Sequence, residues 1–343
     1  MKVRLRFTSG GDSGSLRACQ PRAPADPAPS RLIVSLRRSD QGGRTMHIAV
    51  TGATGFLGRH VVPALLSRGA RVTAMLRSAS NPRPWLEGCS VARLDITEPR
   101  TDAYDLLGRP DCVLHMAWQG LPNYNSAHHF EAELPRQYLF LKHLLMGGLG
   151  RLLVTGTCFE YGMQPGALAE TDPTHPSNPY GFAKDALRRE IEFLKRSLSF
   201  SLVWARLFYT FGDGQPETSL FGQFLRAASR GEALFNMSPG DQLRDYLPAP
   251  VMGDMIARLA LGGGDPGPVN VCSGKPISVR GLVEGWIRER GVRMELNLGH
   301  FPYSDLEPLA FWGDATKVSR LLSMPDGAGR SPARVRSTEG DPL

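Results

Sequence analysis

Tyr180 and Lys184 stand four residues apart in "NPYGFAKDALRRE", a charged amphipathic stretch with helical spacing. Four residues are about one helical turn, so both side chains share a face. An ammonium beside a phenol favours the phenolate and draws its pKa towards neutrality. Such a tyrosine can pass a proton to or from a carbonyl or alcohol oxygen while a hydride moves at the same carbon. A third group must hold that oxygen. Residues 155–162, "TGTCFEYG", set two hydroxyls, a thiol, a carboxylate and a phenol between glycines, and Thr157 is the candidate.

Hydride transfer needs a carrier. "VTGATGFLGRH" places Gly52, Gly55 and Gly58 three apart, after an apolar strand and at the opening of a helix. In that setting the first glycine permits a tight turn, the second lets backbone approach a pyrophosphate, and the third lets helix lie close on strand. The helix start then offers unpaired N–H groups to the anion. The second strand, "RVTAML", ends at Leu76 and is followed by Arg77. An NAD site wants a carboxylate there for the ribose 2′-hydroxyl, whereas a guanidinium suits a 2′-phosphate. NADP(H) is therefore expected, with NAD(H) second. Asp95, after the third strand, is placed either to take the adenine amino group or to serve as a helix-capping or loop aspartate.

The elements that must position these residues alternate. "HIAV" is a short apolar strand, and Gly55 to Arg68 has helical spacing with Leu57, Val61, Leu65 and Leu66 on one face. "RVTAML", "SVARLDI" and "DCVLHMAW" read as strands two to four, Phe130 to Met146 as a helix bent near Pro135, and "RLLVTGT" as the fifth strand. Tyr180 to Ser197 is the next helix and "FSLVWARL" the sixth strand. Strands alternating with helices imply parallel pairing with right-handed crossovers. The fold class expected is α/β, a Rossmann-like doubly wound parallel sheet built mainly by residues 46–211. Residues 212–326, broken by Gly and Pro, are expected to form mainly a smaller α/β substrate domain. Residues 1–45, rich in Arg, Pro, Ser and Gly, read as a disordered extension with Met46 as the natural start, and 327–343 as a disordered tail.

Composition narrows the class. The 343 residues carry a formal charge of +7, most of it within residues 1–45, so no nucleic-acid surface is expected. The five cysteines, Cys19, Cys89, Cys112, Cys158 and Cys272, are scattered with no C-x-x-C pair, which suits reduced cytoplasmic thiols. His128 and His129 lack a third ligand, so no metal is expected. No apolar run approaches the roughly 18–20 residues that a membrane span needs.

"TGATGFLG", "VLHMA" (113–117), "TGTCFEYG", "YGFAK" and "RDY" (244–246) occur in that order. With them the chain resembles the extended short-chain dehydrogenase/reductase family, of the epimerase/dehydratase type that acts on nucleotide sugars, over roughly residues 46–320. The resemblance implies a Thr157–Tyr180–Lys184 triad, since the family's Ser or Thr stands four residues before the tyrosine of the "YG" pair, here Tyr161. It implies that Thr54, Phe56, Leu57, Ile96, Ala117 and Phe208 face the cofactor beside the glycines, and that Lys184 also holds the nicotinamide ribose. It gives Arg244 to a substrate diphosphate, and Trp118 and Thr157 to the sugar. Asn123, Tyr124 and His128 follow the fourth strand, at the carboxyl edge where open α/β sheets bind ligands, and are placed to touch the sugar as well. Tyr209 stands where the family carries a substrate-holding Asn, and Phe211 where it carries Tyr.

Other positions exclude reactions. The family's 4,6-dehydratases carry Asp and Glu where this chain has Cys158 and Phe159, so dehydration is not expected. The cysteine of the members that make GDP-fucose falls at Phe159, which leaves Cys158 a small buried residue. Tyr161 is expected to be structural and Glu160 paired or exposed. What remains is NADPH-dependent reduction of the 4-keto group of a nucleotide-linked 6-deoxysugar, in surface-polysaccharide or deoxysugar biosynthesis. The alternative is an NAD-linked 4-epimerase. A reductase of apolar ketones or acyl-CoA esters would not need Arg244, and a non-catalytic NADP sensor would not keep the triad. The resemblance also implies a homodimer formed through the helices near 130–146 and 180–197.

Overall fold

The computed structural model describes residues 45–323 except 99, 304 and 306. The expectations for 1–45, save Thr45, and for 327–343 lie outside the described residues.

Seven short apolar runs become the strands of one parallel sheet. They are β1 (His47–Thr51), β2 (Arg71–Leu76), β3 (Ser90–Arg93), β4 (Cys112–His115), β5 (Arg151–Thr157), β6 (Ser201–Leu207) and β7 (Gly267–Val271). β1 and β5 are buried along their whole length, as strands covered on both faces must be. The spatial order is β7-β6-β5-β4-β1-β2-β3, and every pairing is parallel. The order reverses between β1 and β4. Chain leaving their carboxyl ends turns to opposite sides, and a ligand crevice opens there.

Helices cover both faces. α1 (Gly58–Leu66) buries Val61, Val62 and Leu65 with the helix Ala249–Leu261 on one side. α2 (Leu134–Met146) and α3 (Pro179–Leu194) bury Phe140, Leu141, Leu144, Leu187 and Ile191 on the other. The expected bend near Pro135 takes the form of a π-helical turn over His129–Glu133 that runs into α2. Such widened turns re-aim side chains, and this one carries His129 and Glu133 inwards, 0% and 1% exposed. α3 starts where Asn178 caps it, its side-chain oxygen accepting from the Gly181 N–H at 2.8 Å, with Pro179 in the first turn.

From residue 212 the chain builds a second core. Helices Leu220–Ser229 and Val279–Arg290 enclose Phe224, Val283 and Trp286. Strand Leu243–Pro248 lies between Tyr209–Phe211 and Pro276–Ser278 in a three-stranded sheet. The same segment returns to the large sheet as β7, so the sequence boundary near residue 211 is not a clean cut in space. Among the described residues no helix is long and apolar enough to cross a membrane.

Candidate active site

The glycine loop is built as its spacing predicts. Gly52 has φ +70°, and a Cβ on it would stand 3.0 Å from the Ala117 backbone nitrogen. A Cβ on Gly58 would stand 2.3 Å from the Ala53 carbonyl oxygen, so only glycine lets α1 lie this close to the loop. No side chain caps the start of α1; the Arg59 N–H bonds the Gly55 carbonyl and the His60 and Val61 N–H groups bond the Leu57 carbonyl, so the N–H groups open to an anion are those of the turn just before them. A cavity of about 400 Å3 opens against it. Its wall includes Gly52, Thr54, Gly55, Phe56, Leu57, Arg77, Asp95, Ile96 and Ala117. A loop that admits backbone alone and a helix start without a side-chain cap fit the pyrophosphate of a dinucleotide, and Arg77 stands on the same cavity wall.

The adenosine end has its own scaffolding. Arg77 is exposed where β2 stops. The Arg93 guanidinium donates to the carbonyls of Arg77, Ser78 and Ser80 and holds that turn in shape. Asp95 Oδ1 accepts from the Thr97 N–H and hydroxyl at 2.9 and 2.8 Å, and the Thr97 N–H above all holds its carboxyl below the usual range. It lines the cavity as an ionised, locally bonded group.

Thr157 and the groups around it meet at the end of β5. The Thr157 hydroxyl accepts from the Phe159 N–H at 3.3 Å, and Glu160 accepts from the Thr157 N–H at 2.9 Å, closing a capping box on a single 3-10 turn. Glu160, fully buried, also accepts from Trp204 Nε1 and Arg206 Nε, each at 2.8 Å. It is paired, and it fixes Thr157. Tyr161 is structural, donating to the Ala169 carbonyl and Asn270 Oδ1. Cys158 is 4% exposed, and burial pushes its thiol up.

Tyr180 lies within an aromatic enclosure, its ring 5.6 Å from Tyr124, 6.0 Å from Trp118 and 5.3 Å from His129. Burial, with Tyr124 and Glu160 adding to it, pushes the phenol well up, while the neighbouring Thr157 hydroxyl pulls the other way. The direct ammonium–phenol pairing expected from the spacing is not what the structure holds. Lys184 Nζ donates to the Thr155 carbonyl at 2.9 Å and stands 4.0 Å from the centre of the Trp118 ring. Burial brings its pKa down to about 7. In this arrangement Tyr180 is a protonated acid, and Lys184 is an adjustable cation behind it.

Three expectations need correction. Phe208 does not reach the cofactor cavity: it is buried against Tyr161 and Phe311, because its backbone N–H bonds the Val271 carbonyl and turns the ring into that cluster. Trp118, expected at the sugar, lines the cofactor cavity and covers Lys184. Arg244 is 4% exposed and already engaged: Nε and Nη2 each lie 2.8 Å from Glu307 Oε2, and Nη1 donates to the carbonyls of Leu243 and Leu309. A substrate diphosphate reaches that fork only by taking the place of Glu307. Tyr209 is half-buried against Tyr246, with its hydroxyl unbonded. Asn123 keeps its side chain exposed and uses its carbonyl to accept from His129. Sequence reasoning missed Ser80, Met116, Gln119, Leu121 and Gln137 on the cavity wall. The first four follow β2 or β4 directly, and that position was the available signal; Gln137, from a distant helix, offered none.

Comparison with known proteins agrees with this geometry. Residues 48–272 match the NAD dependent epimerase/dehydratase family. The chain is 32% identical to the dTDP-6-deoxy-L-talose 4-dehydrogenase (NAD(+)) of Aggregatibacter actinomycetemcomitans, over 78% of this chain and 99% of that protein. It is 32% identical to the dTDP-6-deoxy-L-talose 4-dehydrogenase (NAD(P)(+)) of Kitasatospora kifunensis, over 73% and 80%. Among solved structures, MoeE5 in complex with UDP-glucuronic acid and NAD superposes with a TM-score of 0.68 at 25% identity, covering 82% of this chain and 94% of that one. The chain belongs to the NAD dependent epimerase/dehydratase family and is an NAD(P)-dependent enzyme of the extended short-chain dehydrogenase/reductase type.

Proposed function

We propose that this enzyme reduces the 4-keto group of a nucleotide-linked 6-deoxyhexose with NADPH. One observation carries the reading: the phenol of Tyr180 is held protonated by burial beside Thr157, with only Cys158 and Phe159 where a carboxylate pair for water loss would stand. When bound, the nicotinamide supplies the hydride. The chain does the rest. Thr157 anchors the substrate oxygen, Tyr180 gives it a proton, and Lys184 holds the cofactor ribose and stabilises the phenolate left behind. Glu160 and the capping box keep Thr157 from turning away. The two dehydrogenases that share 32% identity act on a 6-deoxy sugar at C4, which supports the substrate class. Arg77, exposed at the rim of the cavity with no acid in its place, supports the 2′-phosphate.

The test is a dTDP-4-keto-6-deoxyhexose with NADPH, followed by loss of reduced-nicotinamide absorbance, beside Arg77→Ala and the same assay with NADH. Turnover with NADPH is expected. Arg77→Ala should weaken NADPH by about 1–3 kcal/mol, the scale of a charge-assisted contact, and leave NADH nearly unchanged. Equal use of both cofactors by the parent enzyme rejects the NADP(H) assignment. An inert mixture, together with epimerisation of a 4-hydroxy sugar nucleotide without added cofactor, replaces the reductase with the epimerase.

The proposed assembly is a homodimer through α2 and α3. Their outer surfaces expose Leu139, Met146, Phe182 and Phe193, the last at 60%, and apolar side chains gathered this way call for a partner. Light scattering at micromolar concentration should return twice the chain mass; a monomer mass rejects the pairing.

A further inference from the structure

We infer that His129 is a positioning residue for Lys184, acting through the indole of Trp118. The inference rests on the assignment of Lys184 to the cofactor. His129 is wholly buried on the π turn before α2. Its Nδ1 lies 3.1 Å from Trp118 Nε1, and its Nε2 lies 2.8 Å from the Asn123 carbonyl. An indole nitrogen only donates and a carbonyl only accepts. Nδ1 must therefore accept, and Nε2 must carry the hydrogen, which requires the neutral imidazole. Burial above all lowers the His129 pKa and keeps it so.

The ring is placed with care from both sides. A Cβ on Gly120, whose φ is +91°, would stand 3.0 Å from His129 Cε1, so only glycine allows the loop to pass. On the same π turn, Glu133 Oε2 accepts from the Gln119 N–H at 3.1 Å and from Gln137 Nε2 at 2.8 Å, fastening the backbone beside Trp118. The indole so held lies over the Lys184 ammonium, 4.0 Å from ring centre to nitrogen. Trp118 itself stands on the cavity wall, and the ammonium's hydrogen bond goes to the Thr155 carbonyl. One imidazole thus ties the 119–124 loop, where Tyr124 packs on Tyr180, to the lysine that serves the cofactor.

The physical consequence concerns water. While the indole is pinned, the ammonium is dry and its charge is costly. Releasing the indole admits water and raises the Lys184 pKa. The titratable groups around Lys184 are His115 on β4, Glu160 after β5, Glu133 and His129 on the π turn, and Tyr180 one helical turn away. His115, buried and held down to about 3, stays neutral throughout.

The experiment measures NADPH and NADH affinity by calorimetry across neutral to alkaline pH for the full chain and three variants. Binding should weaken as Lys184 loses its proton. In His129→Leu and Trp118→Phe the midpoint of that loss should move up by at least about half a pH unit, the lower range of burial effects. His129→Gln, which keeps one donor and one acceptor, should return it towards the parent value. Titration of the cofactor's own phosphate is common to all four proteins and cancels. An unchanged midpoint in both His129→Leu and Trp118→Phe overturns the inference, and so does an equal shift in His129→Gln. If His129→Leu does not fold, Trp118→Phe decides alone. These readouts need no sugar substrate, so a wrong substrate class would leave every protein inert while the midpoints still report on His129.

Discussion

Tyr180→Phe lowers kcat at least about 10²-fold with cofactor binding retained, the loss typical of removing a positioned acid. The variant keeps the ring, and with it the packing against Tyr124, Trp118 and His129. Only the phenolic hydroxyl is lost, and with it the proton to be given. Burial keeps that hydroxyl protonated, so folding should be unaffected or slightly improved. Single-turnover absorbance with NADPH and the keto sugar measures the rate, and calorimetry measures the cofactor. A kcat within threefold of the parent would remove Tyr180 from the chemistry and direct attention to another acid near Thr157.

Lys184→Met abolishes most of the activity and weakens the cofactor, and at neutral pH it stabilises the fold. The sign follows from the pKa. Burial brings Lys184 down to about 7, from roughly 10.4 in an unfolded chain. Below about pH 7 both states hold the proton, and the folded state bears the full cost of a buried ammonium. As pH rises from there towards the unfolded value, the folded state gives up the proton first, the unfolded state binds more, and stability increases. Methionine fills the volume without the charge. The gain at pH 7 should be about 1–4 kcal/mol, the scale for exchanging buried charge for apolar packing, reduced by loss of the bond to the Thr155 carbonyl. Chemical denaturation across that pH range checks it. The parent should become more stable with rising alkalinity, and the variant should lose that slope. A variant less stable than the parent at pH 7 would mean that the Thr155 and Trp118 contacts outweigh desolvation.

Much of this was readable along the chain because it depends on local physics. Apolar runs at strand length, alternating with helical spacing, dictate a parallel sheet. The glycine spacing of 52, 55 and 58 is a demand of backbone approach, and the Cβ distances at Gly52 and Gly58 bear it out. The place of Thr157 at the end of β5 and the shared helical turn of Tyr180 and Lys184 were legible. The place of Arg77 on the cavity wall was legible because the residue after β2 lies there in this topology.

What the sequence by itself determined is therefore the fold class and the enzyme family, together with the candidate groups. The tertiary structure alone decided the state of those groups. Spacing put Lys184 beside Tyr180, but the ammonium turns to Thr155 and Trp118, because a buried charge goes to the nearest acceptor and ring face the fold provides. The family resemblance gave Arg244 to a substrate diphosphate, but Glu307, sixty-three positions on, takes its donors. His129 read as half of an incomplete metal pair; the π turn buries it against Trp118 and the Asn123 carbonyl instead. Residue type and interval fix what a side chain can do. Burial, and partners brought from far along the chain, fix its protonation and its direction, since desolvation and hydrogen bonding depend on neighbours that sequence order does not name.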